Sequence, residues 1–380
     1  MSKYYCNQKF WWLSVDLEKF QTFSCCAATP QRIDLSWLKQ NPGQIFNTPL
    51  LQQERQMMLE DTPVPSCSSS CWIPESRAMP SRRLTMSGSE LTHENIISAP
   101  ETINIIVGTD CNMTCVYCCK FYSTAWTRDI SKGTYPVERV DDRFIVNDTD
   151  RILQHVSQKE IATSTTRQLL IKEIATLYQE NLLKEVMITG GEPFLYLDLH
   201  RLVGSIPDTI PIKVWTGLGV DTKRFAKEIQ QLPKNVSVVI SAENTEDAYE
   251  FVRYGNTWQR FTDNIHELKT HGINYEFHAT VTNLTVPGLA DFINWADGTS
   301  IIFQPCTDPD YLSIGVLDSA TKSIIGSRLD HLPGFVAQAL EIEPSQQQVY
   351  NLRSYIKEFA KRRALSLDVF PSTLATWIDQ

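Results

Sequence analysis

The sequence predicts an α/β fold built on a parallel sheet, and three observations support this prediction. First, six short apolar segments between residues 103 and 304 have the length and composition of buried strands. Second, segments of helical period separate consecutive strands. Third, strands joined by helical crossovers pair in parallel and bind ligands at their carboxyl ends. A partial (βα)6 barrel and a doubly wound flat sheet fit this order of elements almost equally well.

The predicted elements follow in chain order. The strands of the sheet are expected over residues 103–107, 185–189, 212–216, 236–242, 274–282 and 300–304. The helices between them are expected over residues 166–180, 197–205, 221–231, 246–254, 258–269 and 286–295. Outside this region we expect an aromatic strand over residues 10–15 and helices over 49–59, 318–330 and 344–363.

Composition excludes several classes of protein. The chain has 380 residues, of which 42% are hydrophobic, enough for a globular core and more than one domain. Its 35 basic and 44 acidic residues give a net charge of -9, so nucleic-acid binding is not expected. Ten cysteines without an apolar signal region or a long apolar run predict metal ligation in a reducing cytoplasm and no membrane association. A disulfide framework would require an exported chain.

A cysteine triplet follows the first predicted strand of the sheet. Cys111, Cys115 and Cys118 have the spacing C-x3-C-x2-C, and Tyr117 precedes the last of them. A [4Fe-4S] cube normally takes four cysteine ligands, so three thiolates leave one iron open to a small molecule. A structural zinc site is a weaker interpretation, because zinc usually takes a second pair of ligands. The neighbouring Cys119 is interpreted as a buried core thiol.

A second motif ends the next predicted strand. Gly190, Gly191, Glu192 and Pro193 form a Gly-Gly-Glu-Pro turn, in which glycines allow the backbone to approach a ligand closely. Together, the triplet with its aromatic residue and this turn resemble the radical S-adenosylmethionine (radical SAM) superfamily. The resemblance favours the barrel over the flat sheet. It implies a partial (βα)6 TIM-like radical SAM barrel over residues 98–315, interrupted by an insertion over residues 120–164.

This resemblance also implies cofactors and a reaction. Cys111, Cys115 and Cys118 would hold a [4Fe-4S] cluster, and the amino and carboxylate groups of SAM would chelate the fourth iron. Reductive cleavage of SAM would then yield a 5'-deoxyadenosyl radical that abstracts a substrate hydrogen. Tyr117 and the Gly-Gly-Glu-Pro residues are implied in cofactor binding. A flavodoxin- or ferredoxin-type protein is the implied electron donor.

Strand ends and the same resemblance nominate further cofactor-binding residues. Thr216 ends the third strand, while Ser241 and Glu243 share a face at the end of the fourth, where the family holds the ribose of SAM. The guanidinium of Arg253 suits the SAM carboxylate, the substrate or a surface salt bridge. Asn283 follows the fifth strand, near SAM in the related group. A polar face of the fifth strand would line a substrate cavity with Glu276, His278, Thr280 and Thr282.

Residues 1–97 are predicted to form a small cysteine-rich domain with a linker. They resemble the twitch or SPASM-type auxiliary-cluster module, in which a helix carrying an arginine, here Arg55, leads into a cysteine pair. The resemblance implies a second [4Fe-4S] cluster on Cys6, Cys25, Cys67 and Cys71, with Cys26 as the alternative to Cys25. A zinc site of the same thiolates is the other interpretation. In the family this module usually follows the radical SAM core, whereas here it precedes the core. The glycine that usually stands before the second cysteine is missing from this sequence.

Two regions remain. The insertion over residues 120–164 is interpreted either as a substrate lid or as a surface excursion. Residues 316–380 are predicted to form a C-terminal helical segment, whose basic residues lie on a solvated helix face and include Lys357, Lys361, Arg362 and Arg363.

The sequence therefore predicts a radical SAM enzyme with an auxiliary iron-sulfur cluster. Because related auxiliary-cluster enzymes often modify peptides or protein side chains, a peptide is the first predicted substrate. A nucleoside, a nucleotide or an amino sugar is the alternative, and the sequence leaves open whether the enzyme is an oxidoreductase, a transferase or a mutase. A non-catalytic iron-sulfur or zinc-binding interaction protein is the alternative of another class, and it predicts no SAM cleavage.

Overall fold

The computed structural model describes residues 3–25, 28–76, 81–85, 94, 96–133, 135–137, 164–179 and 182–380. Most of the predicted insertion, residues 138–163, lies outside the described residues, as does Cys26. The lid hypothesis and the alternative ligand Cys26 therefore fall outside this description. Within the described part of the chain, no helix is both long and apolar enough to cross a bilayer.

One nine-stranded sheet organises the described residues. Its strands are β1 (Trp12–Asp16), β2 (Gln21–Phe23), β3 (Gln31–Arg32), β4 (Thr102–Ile106), β5 (Glu185–Thr189), β6 (Ile212–Thr216), β7 (Val236–Ser241), β8 (Tyr275–Val281) and β9 (Ile301–Pro305). They lie in the order β3-β2-β1-β4-β5-β6-β7-β8-β9. Strands β4 to β9 are mutually parallel and β1 joins them in parallel, whereas β2 and β3 are antiparallel additions at one edge.

The strand order distinguishes the two architectures that the sequence allowed. Strands β4 to β9 cross the sheet in chain order without a reversal. A doubly wound sheet contains a point at which the order reverses, whereas successive crossovers of one hand curve a sheet toward a barrel. The order therefore confirms the predicted partial barrel. The sheet is open, with β3 at one edge and β9 at the other.

Helices precede, connect and follow the strands. Those before β4 are Gln8–Trp11, Leu35–Gln40, Pro49–Leu59, Ile73–Ser76 and Arg82–Thr85. Those between β4 and β9 are Thr124–Ile130, Ser164–Leu177, Leu199–Gly204, Thr222–Ile229, Glu246–Val252, Trp258–Thr270 and Leu289–Trp295. Those after β9 are Ser319–Gly326, Phe335–Leu340, Gln346–Arg363 and Ser372–Asp379. Side-chain caps fix several helix starts; for example, Asp221 accepts a hydrogen bond from Arg224 N at 3.2 Å.

The barrel strands bury one face and leave the other in the concave interior. In β6, Ile212 and Val214 are fully buried, whereas the alternate residues Lys213 and Trp215 are half-buried. This period of two places the apolar side chains against the surrounding helices. The other face of each strand, which includes Lys213 and Trp215 in β6, is more polar and lines the interior of the half-barrel below the carboxyl ends of the strands.

The N-terminal strand joins the barrel sheet, which the sequence did not predict. β1 pairs with β4 from Trp12 opposite Thr102 to Asp16 opposite Ile106, and Leu17 N donates to Ile106 O at 2.9 Å. Because the two strands are parallel, both end at the same edge of the sheet. The turn after β1 therefore lies beside the cysteine loop that follows β4.

Candidate cluster and SAM site

The cysteine triplet lies in the loop that leaves the carboxyl end of β4. Cys111, Cys115 and Cys118 are reduced thiols, and the first two are buried. Met113 and Tyr117 pack around them in a small apolar cluster. Burial raises the pKa of the Cys111 thiol to about 12, and burial also raises the pKa of Cys115. Thiolates in such surroundings need a positive partner, which iron would supply.

Hydrogen bonds from neighbouring elements hold the backbone of this loop. Thr114 N donates to Tyr254 O and Val116 N to Val252 O, both at 2.8 Å. On the other side, Trp126 Nε1 donates to the carbonyl oxygen of Cys115 at 3.0 Å. These hydrogen bonds attach the loop to neighbouring elements on both of its sides.

The Gly-Gly-Glu-Pro turn after β5 supports the cysteine loop directly. Gly191 N donates to Gly108 O and Glu192 N to Asp110 O, each at 2.8 Å. A Cβ atom added to Gly191 would lie 2.5 Å from Asp110 O, and one added to Gly190 would lie 2.7 Å from Gly108 O. Both glycines are therefore needed for close packing of two backbone segments. Their predicted contact with SAM stays a prediction.

Glu192 connects the ends of two neighbouring strands. Its carboxylate accepts hydrogen bonds from Thr216 Oγ1 at 2.6 Å, Gly217 N at 3.0 Å and Phe194 N at 3.3 Å. Burial raises the pKa of this carboxyl group. Pro193 is also buried and begins a short 3-10 helix. The structure thus brings Glu192 and Thr216 together, and a contact of either with SAM stays a prediction.

Predicted residues from three segments meet in one buried network. Arg253 donates to Glu243 twice, from Nε to Oε1 at 3.1 Å and from Nη2 to Oε2 at 2.7 Å. Tyr117 Oη donates to Glu243 Oε1 at 2.9 Å. Arg253 Nη1 also donates to Cys115 Sγ at 3.8 Å. Arg253 is 3% exposed, so the pair is buried and is not the surface salt bridge that the sequence allowed.

This network places a cation beside a cysteine of the triplet. Burial alone would lower the pKa of Arg253, but Glu243, Tyr117 and Cys115 raise it, and the net shift is upward. The guanidinium carbon lies 5.5 Å from the centre of the Tyr117 ring. Arg253 therefore keeps its positive charge in the interior, where it stabilises a negatively charged thiolate at Cys115.

The two remaining predicted residues lie at the carboxyl ends of neighbouring strands, Ser241 in β7 and Asn283 just after β8. Ser241 is half-buried and pairs in register with His278 of β8. Asn283 is buried, and its Nδ2 donates to Tyr311 O at 2.9 Å and to Val316 O at 3.0 Å. Asn283 thereby ties the end of β8 to the C-terminal segment. A SAM contact for either residue stays a prediction.

The concave face of the sheet has the polar character predicted for β8. Glu276, His278 and Thr280 are half-buried, and they alternate with fully buried apolar residues. Lys213 Nζ donates to Glu276 Oε1 at 2.9 Å, across the strand that separates them. Above this ion pair, the Trp215 ring lies 4.8 Å from the His278 ring. These polar and aromatic side chains line the interior of the half-barrel below the carboxyl ends of the strands.

Sequence reasoning missed residues of the hairpin turn after β1. Glu18 Oε2 accepts hydrogen bonds from Thr109 N at 2.7 Å and Thr109 Oγ1 at 3.0 Å. Lys19 Nζ donates to Phe121 O at 2.8 Å. Both contacts hold the segments on either side of the cysteine triplet. Only knowledge that β1 pairs with β4 would have indicated them.

The long C-terminal helix also contacts the cysteine loop. Arg363 Nε donates to Thr114 Oγ1 at 3.1 Å, and Tyr355 Oη donates to Val116 O at 2.5 Å. Arg363 is only 9% exposed, although Lys361 two residues earlier is exposed. The predicted solvated basic face is therefore wrong for Arg363, because this side chain turns inward to the loop.

The four predicted N-terminal ligands line one small cavity. Its walls also contain Gln8, Lys9, Ala28, Trp72 and Arg83, and its cysteines are Cys6, Cys25, Cys67 and Cys71. Phe10, Met58 and Val64 pack with Cys67 and Cys71 in an apolar cluster. Burial raises the pKa of the Cys6 thiol to about 12 and that of Cys67 to about 11.

Arg55 lies outside the walls of this cavity and stabilises the helix that carries it. Its guanidinium donates to Phe46 O at 3.1 and 3.2 Å and to Asn47 Oδ1 at 2.7 Å. Burial lowers the pKa of Arg55 to about 10. These bonds attach helix Pro49–Leu59 to the turn that precedes it.

Both cysteine groups have the donor chemistry of iron-sulfur ligands. Each combines reduced cysteine thiols with an apolar surrounding, and cysteine thiolates are the usual ligands of such clusters. Among the described residues, no three His, Cys, Asp or Glu side chains converge as ligands of a single metal ion.

Comparisons with known proteins relate the chain to one superfamily. Residues 105–292 match the family model described as the radical SAM superfamily. No curated protein matches the chain.

Similar solved structures include native anSMEcpe with bound AdoMet, at 16% identity and a TM-score of 0.40, over 61% of this chain and 59% of that chain. This chain thus spans less than two thirds of that structure. They also include Streptococcus suis SuiB bound to precursor peptide SuiA, at 14% identity and a TM-score of 0.35, over 80% of this chain and 68% of that one.

The residues matched by the superfamily model correspond to most of the barrel region of the structure. The match begins within β4, includes the complete cysteine loop and the Gly-Gly-Glu-Pro turn, and ends within helix Leu289–Trp295. The superfamily implies a [4Fe-4S] cluster and SAM as cofactors. Residues 105–292 form a domain of the radical SAM superfamily.

Proposed function

We propose that this protein is an enzyme that cleaves SAM reductively and abstracts a hydrogen atom from a peptide or protein side chain. The observation that carries the proposal is the cysteine loop, supported by the Gly-Gly-Glu-Pro turn at the carboxyl end of a parallel half-barrel. When bound, a [4Fe-4S] cluster on Cys111, Cys115 and Cys118 and its SAM ligand supply the electron transfer and the 5'-deoxyadenosyl radical.

The residues around the loop have defined tasks in this proposal. Arg253 keeps a positive charge beside Cys115, while Glu243 and Tyr117 hold its guanidinium in one orientation. The buried carboxyl group of Glu192 fixes the neighbouring strand ends. Side chains that are held in place by such hydrogen bonds would orient the cofactors.

The proposal includes an auxiliary [4Fe-4S] cluster on Cys6, Cys25, Cys67 and Cys71. It is supported by the convergence of these thiols on one cavity, although they come from three separate segments of the chain. The usual role of a second cluster is electron transfer, for which a closed set of four cysteine ligands is suited.

A peptide substrate is supported by the shape of the sheet. Because the barrel is not closed, its concave face can be approached from the side as well as from the strand ends. At the β9 edge, Ile302 and Gln304 are exposed, next to the polar interior formed by Glu276 and His278. An extended chain can lie along such an opening, with one side chain directed toward the cluster loop.

The experiment is an anaerobic assay of 5'-deoxyadenosine. The reduced protein is incubated with SAM and with peptides, nucleosides or amino sugars, and a true substrate class increases 5'-deoxyadenosine formation. Dithionite and reduced flavodoxin are compared as electron donors. Cys115→Ala should abolish SAM cleavage, whereas Cys67→Ala should lower the iron content from about eight to about four atoms per chain but keep the SAM-binding cluster. SAM cleavage by Cys115→Ala would contradict the assignment.

A further inference from the structure

A buried lysine forms part of the wall of the N-terminal cysteine cavity. Lys9 is 1% exposed, and its Nζ donates to Ser66 Oγ at 2.9 Å and to Ser24 Oγ. It also forms an ion pair with Glu54 Oε2 at 2.5 Å. These three acceptors use all three ammonium hydrogens, so the influence of Lys9 on the cavity is electrostatic.

The partner of this lysine is not among the residues that line the cavity. Glu54 Oε1 accepts from Gln31 Nε2 at 2.6 Å and from Ser66 Oγ at 2.5 Å, while Oε2 also accepts from Ser24 Oγ at 3.1 Å. Lys9 lines the cavity, whereas Glu54 does not. The ion pair is therefore a dipole with its positive end toward the sulfurs, and its many hydrogen bonds keep both groups charged.

A buried amide contacts one of the sulfurs. Cys25 Sγ donates to Gln8 Oε1 at 2.7 Å, and Gln8 is 1% exposed. Among the described residues, Gln8 Nε2 has no hydrogen-bond partner. When Cys25 ligates iron it loses its proton, and its sulfur then accepts hydrogen bonds. Rotation of the amide presents Nε2 to that sulfur and satisfies both groups.

A second cation lines the same cavity. Arg83 is paired with Glu75, and its guanidinium lies 5.3 Å from the Trp72 ring centre. Its side chain is 16% exposed, so its charge is partly screened by solvent. Lys9 is fully buried, where the effective dielectric constant is lower and a charge acts more strongly.

We propose that Lys9 and Gln8 raise the reduction potential of the auxiliary cluster. Reduction adds one negative charge to a cluster that four thiolates already make negative, and a buried cation stabilises this reduced form. A hydrogen bond to a ligand sulfur acts in the same direction by withdrawing charge from it. The inference rests on the auxiliary cluster of the proposed function and adds how the chain sets its electron affinity.

The test is an anaerobic redox titration followed by EPR, in the complete protein with both clusters reconstituted. Lys9→Met should lower the ratio of reduced to oxidised auxiliary cluster at least tenfold at a fixed potential, a shift of 59 mV for one electron. Glu54→Gln should shift the potential the opposite way. Lys39→Met, which removes the same charge from an exposed helix position, should leave it unchanged.

The outcomes separate charge from packing and from failure of the function itself. Gln8→Leu leaves the ion pair intact and should lower the potential, so the inference can be tested even where Lys9→Met does not fold. An unchanged potential in both Lys9→Met and Gln8→Leu would overturn the inference, as would shifts of the same sign in Lys9→Met and Glu54→Gln. If Cys67→Ala retains the iron content of the parent, the auxiliary cluster itself is wrong.

Discussion

Replacing Arg253 with methionine distinguishes two roles for this residue. If Arg253 serves only to bind SAM, its loss leaves the SAM-free protein as stable as the parent. The structure instead gives it a partner within the chain, since it donates twice to the buried Glu243. We therefore expect Arg253→Met to destabilise the protein before any SAM is added.

The size of the effect follows from the burial of the pair. The side chains of Arg253 and Glu243 are 4% and 1% exposed, so water cannot replace the lost guanidinium. Removing one partner of a buried ion pair costs about 3–5 kcal/mol, because the other charge is left uncompensated. The Tyr117 hydroxyl still donates to Glu243 at 2.9 Å and reduces this cost only in part.

The assay is anaerobic urea unfolding of the cluster-free protein, followed by SAM cleavage by the reconstituted protein. Arg201→Met is the matched control, because Arg201 pairs with Asp198 at 3.2 Å with both side chains largely exposed. Such a pair contributes less than about 1 kcal/mol. The double variant Arg253→Met with Glu243→Leu should recover part of the lost stability, since it removes the orphaned carboxylate.

One result would refute this reasoning. If the free energy of unfolding of Arg253→Met lies within about 1 kcal/mol of that of the parent, as expected for Arg201→Met, then the buried ion pair has no stabilising role. A simultaneous loss of SAM affinity would then assign the guanidinium to the SAM carboxylate.

Three further predictions concern packing, loop support and pH. Gly191→Ala places a Cβ 2.5 Å from Asp110 O, so it should lower the free energy of unfolding by about 1–3 kcal/mol and reduce iron retention. Gly204→Ala, whose added Cβ has no atom within 4 Å, should change neither quantity. Urea unfolding measures the stability and iron analysis measures the retention. Arg363→Met should lose its bond to the cysteine loop, cost about 1.5–3 kcal/mol and speed iron release to a chelator, whereas Lys361→Met should match the parent. Burial raises the pKa of Asp16 in the folded protein above its unfolded value of about 3.9. The parent therefore loses stability as the pH rises from the unfolded pKa to the higher folded pKa, because the folded state resists the loss of this proton. The stability of Asp16→Asn relative to the parent should therefore increase from pH 4 to pH 7 in urea unfolding, and an equal difference at both values would contradict this cause.

Local sequence information was sufficient for the strands of the barrel but not for the N-terminal hairpin. The predicted strands over 185–189 and 212–216 agree with β5 and β6 because each is a short segment rich in β-branched residues that is followed by a glycine, Gly190 or Gly217. The hairpin lacks such signals. Its turn contains Phe20 at a φ of 53°, a conformation that usually indicates glycine or asparagine, and its strands β2 and β3 have only three and two residues.

A similar limit applies to the candidate sites. The triplet of Cys111, Cys115 and Cys118 is visible because its ligands are close in sequence and their spacing is chemically specific. The ion pair of Lys9 and Glu54 joins residues separated by 45 positions, so no local pattern indicates it. Buried charges near a ligand depend on tertiary packing, and only coordinates reveal them.

The two cysteine groups share one electrostatic arrangement. Near Cys115 the buried Arg253 is paired with Glu243, and beside the N-terminal cavity the buried Lys9 is paired with Glu54. A lone cation in either position would lose its charge or destabilise the fold, because burial strongly disfavours an unpaired ion. The carboxylate removes that penalty, and in the N-terminal site the cation lines the cavity whereas the carboxylate does not. The chain can therefore keep a positive charge in place before a cluster binds, and the negative charge that a cluster brings meets a partner already oriented toward it.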